Sequence, residues 1–169
     1  MNGAVLLVED FDDDIFWMRR SWAKEGVVNP LQVVKNGRQA VEYLSGKGPY
    51  SDRKAFPLPC LVLLDLKLPY LMGTDVLEWI RGQANLRGLP VLMLSTSALQ
   101  SDIDEAYQLG ANAFMVKPPS GLQLGDLVRP IRDYWLGMNL FPRMGPGESG
   151  QTGRVYGADT SPGISPQGS

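Results

Sequence analysis

The 169-residue sequence contains no histidine and a single cysteine. Without histidine the chain cannot supply a Ser-His-Asp or Cys-His nucleophile system, a His-ligated zinc site, or a phosphohistidine of its own. Cys60 cannot form an internal disulfide, and its place in the apolar run Cys60-Leu61-Val62-Leu63-Leu64 points to burial more than reactivity. A reducing, cytoplasmic setting fits. No apolar stretch reaches the roughly 20 residues that span a bilayer, and the N-terminus lacks a basic segment followed by an apolar core, so no membrane partner is expected. Strong charge of one sign is missing as well. Sixteen basic against eighteen acidic residues leave a net charge of -2, which gives no global attraction to nucleic acid or anionic lipid.

What is present suffices for one domain with an appendage: 44% of the residues are hydrophobic and 20% charged, as in soluble globular chains. Composition changes at Gly137. Of the 33 residues from 137 to 169, 16 are Gly, Pro or Ser, with no sustained apolar period; this reads as a flexible tail, in which Leu140, Phe141 and Tyr156 are the only large apolar anchors. Residues 1 to 136 are expected to form the folded domain. The tail is too short and too polar for a DNA-binding module.

Within that domain, short apolar runs alternate with segments of helical period. Ala4 to Val8, Leu31 to Val34, Leu61 to Leu64, Val91 to Leu94 and Ala113 to Val116 have strand length and little polar alternation, predicting five strands buried on both faces. Helical stripes follow each: Ile15, Met18 and Trp22; Ala40, Val41 and Leu44; Val76, Leu77 and Ile80; Ile103, Ala106 and Tyr107; and Leu124, Leu127, Val128, Ile131 and Trp135. Pro130 should kink the last helix without dividing it, since the apolar period continues in phase. Five βα units imply a doubly wound parallel sheet with helices on both faces and a ligand site at the strands' carboxyl ends. The segment from Gly46 to Pro59 is a long loop available to partners.

The carboxyl ends therefore matter most. The first strand runs into Glu9-Asp10, two adjacent carboxylates suited to Mg²⁺, a hard cation that keeps sites for water and phosphate oxygens. Asp12, Asp13 and Asp14 behind them are accounted for by a helix N-terminus, where the macrodipole favours negative charge. Asp65 ends the third strand between apolar neighbours. Alone it could simply start a turn toward Pro69 and Gly73, but with Glu9 and Asp10 it makes a metal-binding cluster at the switch point of the sheet. Lys117 after the fifth strand can reach across to supply positive charge for an anion bound at Asp65. Ser95, at the tip of the fourth strand, can donate to a phosphoryl oxygen, while Ser97 reads as a helix cap.

Val8-Glu9-Asp10, Leu64-Asp65-Leu66-Lys67-Leu68-Pro69 with Gly73, Leu94-Ser95 and Val116-Lys117-Pro118, in this order over about residues 4 to 136, resemble the receiver domain of bacterial two-component response regulators. The resemblance implies a flavodoxin-like (βα)5 fold with strand order 2-1-3-4-5. The long loop before the third strand, the stretch Asp102 to Asn112 and the closing Tyr134-Trp135-Leu136 look like the single-domain regulators that serve phytochrome-type sensor kinases.

By that resemblance Asp65 would accept a phosphoryl group from a sensor histidine kinase or phosphotransfer protein. Glu9, Asp10, Asp65 and the backbone carbonyl of Lys67 would bind Mg²⁺, and Ser95 and Lys117 would hold the phosphoryl oxygens. A cis Lys117–Pro118 bond would aim the lysine. Phe114 would pair with Ser95 as the switch, reporting by packing alone because it lacks a hydroxyl, and Lys67 departs from the shorter polar residue common at its position. Output would be altered protein binding, with a homodimer through the fourth helix, fifth strand and fifth helix. Three other readings stay open. A receiver-fold interaction module would work without phosphorylation. An aspartyl-nucleophile phosphatase would want a second Asp where Lys67 stands. A flavodoxin-like electron carrier would want a phosphate-cradling loop where the acidic run Glu9 to Asp14 lies.

Overall fold

The structure is a computed structural model and describes residues 3 to 143. Five parallel strands, β1 (Val5–Val8), β2 (Leu31–Val34), β3 (Leu61–Asp65), β4 (Val91–Ser95) and β5 (Ala113–Val116), form one sheet in the order β2-β1-β3-β4-β5. Each connection carries a helix: α1 (Asp12–Lys24), α2 (Gly37–Ser45), α3 (Gly73–Gly82), α4 (Gln100–Gln108) and, after β5, α5 (Leu124–Pro130). Among the described residues no helix is long and apolar enough to cross a membrane.

The helices divide the core into two layers. Val8, Leu64, Val76, Leu77, Ile80 and Met93 belong to the cluster under α2, α3 and α4, whereas Leu7, Met18, Trp22, Leu63, Leu127 and Ile131 belong to the one under α1 and α5. Alternate residues of β1 and β3 feed opposite clusters, as the two-residue period of a strand requires. Burial on both faces holds for β1, β3 and β4 but not for the edges: β2 is mostly half-buried and β5 ends in exposed Val116. An edge strand has only one neighbour, so the helix layers cover it incompletely; the apolar runs alone do not say which strands are edges.

Pro130 changes the last helix more than a kink. It has no N–H to donate, and the chain passes from α-helix directly into π-helix over Ile131–Leu136. Helical direction is kept, so Ile131 stays in the core. The Gly46 to Pro59 loop is packed against α2. Arg53 donates to the Tyr43 and Leu44 carbonyls (both 2.7 Å), satisfying the helix C-terminus, and the rings of Tyr43, Tyr50 and Phe56 meet edge-on or tilted. Just past residue 137, Phe141 packs on the α1/α5 core layer while Leu140 is 90% exposed. The rest of the expected tail, 144 to 169, lies outside the described residues.

Candidate functional site

Parallel register brings the carboxyl ends of β1, β3, β4 and β5 to one edge. Val8 pairs with Leu64, Asp65 with Leu94, and Ser95 with Val116, so Glu9, Asp65, Ser95 and Lys117 converge without any long loop having to position them. Glu9 extends the β1–β2 ladder through its N–H to the Val34 carbonyl, 3.0 Å. Its carboxylate is thereby carried inward, with the residue only 2% exposed.

The link from β3 to α3 is tightened around Asp65. Leu66 N–H donates to Leu94 O and Gly73 N–H returns to Leu66 O, both 2.9 Å. A Cβ on Gly73 would lie 2.2 Å from the Asp65 carbonyl oxygen, so only glycine lets α3 begin against the phosphoacceptor candidate's own backbone. Asp65 Oδ1 accepts from the Lys67 N–H at 2.9 Å, which fixes the carboxylate plane, while the Lys67 side chain stays exposed.

Lys117 is the positive centre. Its Nζ donates to Asp65 Oδ2 (2.5 Å), Glu9 Oε2 (2.6 Å) and Asp14 Oδ2 (2.9 Å), using all three ammonium protons. Burial works against the charged lysine, but the hydrogen bonds to Asp65, Glu9 and Asp14 outweigh it and hold its pKa above the usual value. Burial pushes Glu9 up to about 7, with the Asp65 charge adding to the rise and Lys117 opposing it. The Lys117–Pro118 bond is trans, a correction to the expected cis form. Trans is the intrinsically favoured isomer by about 0.5–1 kcal/mol, and from it the ammonium already reaches all three carboxylates.

Glu9, Asp10 and Asp65 each offer an oxygen, and these oxygens lie within 4.8 Å of one another. Asp10 sits exposed at the mouth while the other two are buried. An all-oxygen, carboxylate-rich set open to water on one side fits a hard divalent cation, and two of its members, Glu9 and Asp65, share the Lys117 ammonium with Asp14. Ser95 is 2% exposed, and its Oγ accepts from the Ser97 N–H at 3.0 Å. The Lys117 N–H donates to the Ser95 carbonyl at 2.7 Å, tying those two residues together through the backbone. Phe114, opposite Met93 on β5, is half-buried against the α2/α3/α4 core layer.

Asp14 is the site residue that sequence reasoning missed. Asp12 does point outward, pairing with exposed Lys35, but Asp14 turns in toward Lys117. Helix-terminal aspartates look alike in sequence; a pointer was available only in the rotation of α1, where Asp14 immediately precedes the buried stripe of Ile15, Met18 and Trp22.

The chain resembles known proteins in sequence and in fold. The family model for the response regulator receiver domain matches residues 5–129. The probable methanogenesis regulatory protein FilR2 of Methanothrix harundinacea is 34% identical over 138 residues, covering 82% of this chain and 86% of that protein. Among solved structures, the phosphorylated cyanobacterial phytochrome response regulator RcpA superposes with a TM-score of 0.78 at 33% identity, covering 85% of this chain and 100% of RcpA. The Mn²⁺-bound form of Rcp1, a response regulator known from Synechocystis, does so with 0.75 at 30% identity, covering 83% and 99%.

Proposed function

Because the chain belongs to the response regulator receiver domain family, we propose that it is a phosphoacceptor in a phosphorelay, with Asp65 as the residue modified and a phytochrome-type sensor histidine kinase or its phosphotransfer protein as donor. The observation that carries this reading is the convergence of Asp65, two further carboxylates and a buried lysine at one sheet edge. The likeness to RcpA and Rcp1 supports the choice of donor.

In the proposed transfer, an Asp65 carboxylate oxygen attacks the phosphorus of a phosphohistidine on the donor. The P–O bond forms as the P–N bond breaks, and the imidazole leaves. Glu9, Asp10, Asp65 and the Lys67 carbonyl would hold Mg²⁺, which when bound neutralises charge on the transferring oxygens. Lys117, already on Asp65 Oδ2, needs only a small shift to bond a phosphoryl oxygen there. Ser95 holds a second oxygen by turning its hydroxyl away from the Ser97 N–H. Small donors such as acetyl phosphate serve the same site, so the chain's own chemistry is limited to accepting the group and losing it slowly to water.

Drawing Ser95 toward the phosphoryl group vacates space beside β4, and Phe114 moves into it from its half-buried position. The affected surface carries exposed Tyr107 (51%) on α4, whereas Arg129 and Arg132 reach toward Glu25 at the end of α1. An exposed aromatic suits a self-complementary two-fold contact, and a homodimer through α4, β5 and α5 is the output proposed. Incubation with Mg²⁺ and acetyl phosphate, followed by intact mass measurement, tests the reading: wild type gains one phosphoryl group and Asp65→Asn gains none. Equal labelling of the two, or labelling unaffected by a chelator, overturns it.

A further inference from the structure

Three carboxylates share the Lys117 ammonium, and they are not equivalent. Glu9 and Asp65 belong to the set whose oxygens lie within 4.8 Å of one another and could hold a metal ion; Asp14 does not. The ammonium holds Glu9 Oε2 and Asp65 Oδ2, while Glu9 Oε1 and Asp65 Oδ1 already accept from the Phe11 and Lys67 N–H groups, so a divalent ion at the cluster competes with the ammonium for these two carboxylates. We infer that Asp14 is a positioning residue for Lys117: it gives the ammonium a partner that the ion does not claim, so the lysine can release Glu9 and Asp65 without becoming a buried charge with no acceptor. The inference rests on the receiver reading of the acidic cluster and deepens it.

The placement fits this role. Asp14 lies in the first turn of α1, with its side chain 29% exposed against 3% for Glu9 and 10% for Asp65, so it stands at the outer side of the lysine. It borders an open groove of about 400 Å³ whose lining also includes Thr96, Lys117, Pro119, Gly121 and Leu124. Trp17, one turn further along α1, touches Gly121 so closely that a Cβ there would lie 2.2 Å from the indole. This contact locks α1 to the segment that follows Lys117, fixing the distance between Asp14 and the lysine backbone. With Asp14 removed, an ammonium with three protons has only Glu9 and Asp65 to bond, and it competes harder for the oxygens the ion needs.

The test is a double-mutant cycle on Mg²⁺ binding, measured by calorimetry at pH 8 with Mg²⁺ alone and no phosphoryl donor. Asp14→Asn lowers affinity about fivefold or more when Lys117 is present, and Asp14→Glu, which keeps the carboxylate, restores it. In a Lys117→Met background, Asp14→Asn changes affinity by less than about twofold. An equal loss in both backgrounds overturns the inference, because Asp14 then acts only as one more negative charge; so does failure of Asp14→Glu to rescue. Either failure leaves labelling of Asp65 untouched. A wild-type chain that takes up no Mg²⁺ overturns the inference and the receiver reading of the metal cluster together.

Discussion

Replacing Lys117 with methionine keeps an unbranched apolar stem of similar length and removes only the charge and its three hydrogen bonds. The ammonium sits 2.5 to 2.9 Å from three carboxylates, two of them buried, and breaking a buried ion pair from one side costs about 3–5 kcal/mol because the abandoned charge stays desolvated. Glu9 limits the loss. Its pKa already stands at about 7, and without Lys117 it rises further, so the group takes up a proton instead of remaining an unpaired anion. Lys117→Met should therefore destabilise the metal-free chain by about 3 kcal/mol at pH 8, and by clearly less at pH 5, where Glu9 is largely protonated in both chains. Urea unfolding in the presence of a chelator measures both numbers. Adding Mg²⁺ at a hundred times its Kd returns about 2.7 kcal/mol, to a chain whose carboxylates no longer have to release a lysine. A loss below about 1 kcal/mol, or an equal loss at pH 5 and pH 8, would refute a charge-compensating role for Lys117.

The remaining expectations concern pH, the chain end and assembly. Glu9 has a folded pKa of about 7 against 4.5 when unfolded, so its contribution is fully present below pH 4.5 and is lost as pH rises through 7. The metal-free wild type should lose about 3 kcal/mol relative to Glu9→Gln over that interval, and parallel stability profiles for the two would contradict the assignment. Truncation after Arg143 should leave the melting temperature within a degree or so, whereas truncation after Leu136 removes the Phe141 contact and should lower it by roughly 4 °C, about 1 kcal/mol; scanning calorimetry separates the two. Sedimentation at micromolar concentration, with and without a phosphoryl mimic, should show a dimer whose affinity changes with the mimic and falls on Tyr107→Ala, at a ring 51% exposed on α4, while a monomer in both states would remove the dimer proposal.

The strands and the site core were legible because both rest on local pattern. Apolar runs of strand length located all five strands to within a residue at either end, and a carboxylate or lysine directly after such a run has to emerge at the sheet edge. The strand order came from the receiver resemblance, which period alone could not supply. What escaped the sequence depends on tertiary placement. Coverage of β2 and β5 is set by how far each helix layer extends, and the inward turn of Asp14 by the rotation of α1 against the segment after Lys117. Phe141 looked like part of a Gly- and Pro-rich tail, yet it packs on the α1/α5 core layer because the π-helical turn ends beside that layer. Pro130 announced a disturbance, but its form depended on where the carbonyls it leaves without a donor could find one.

Borohydride trapping tests the assignment of Asp65 most directly. An acyl phosphate on an aspartate is reduced to homoserine, whereas an unmodified carboxylate and a phosphorylated hydroxyl are not. After phosphorylation from a histidine-phosphorylated kinase in Mg²⁺, peptide mapping should find homoserine at position 65 alone, and none when a chelator is present. Homoserine at Asp10 or Asp14 instead would move the acceptor within the cluster; phosphate retained on Ser95 with Asp65 unmodified would contradict the account outright.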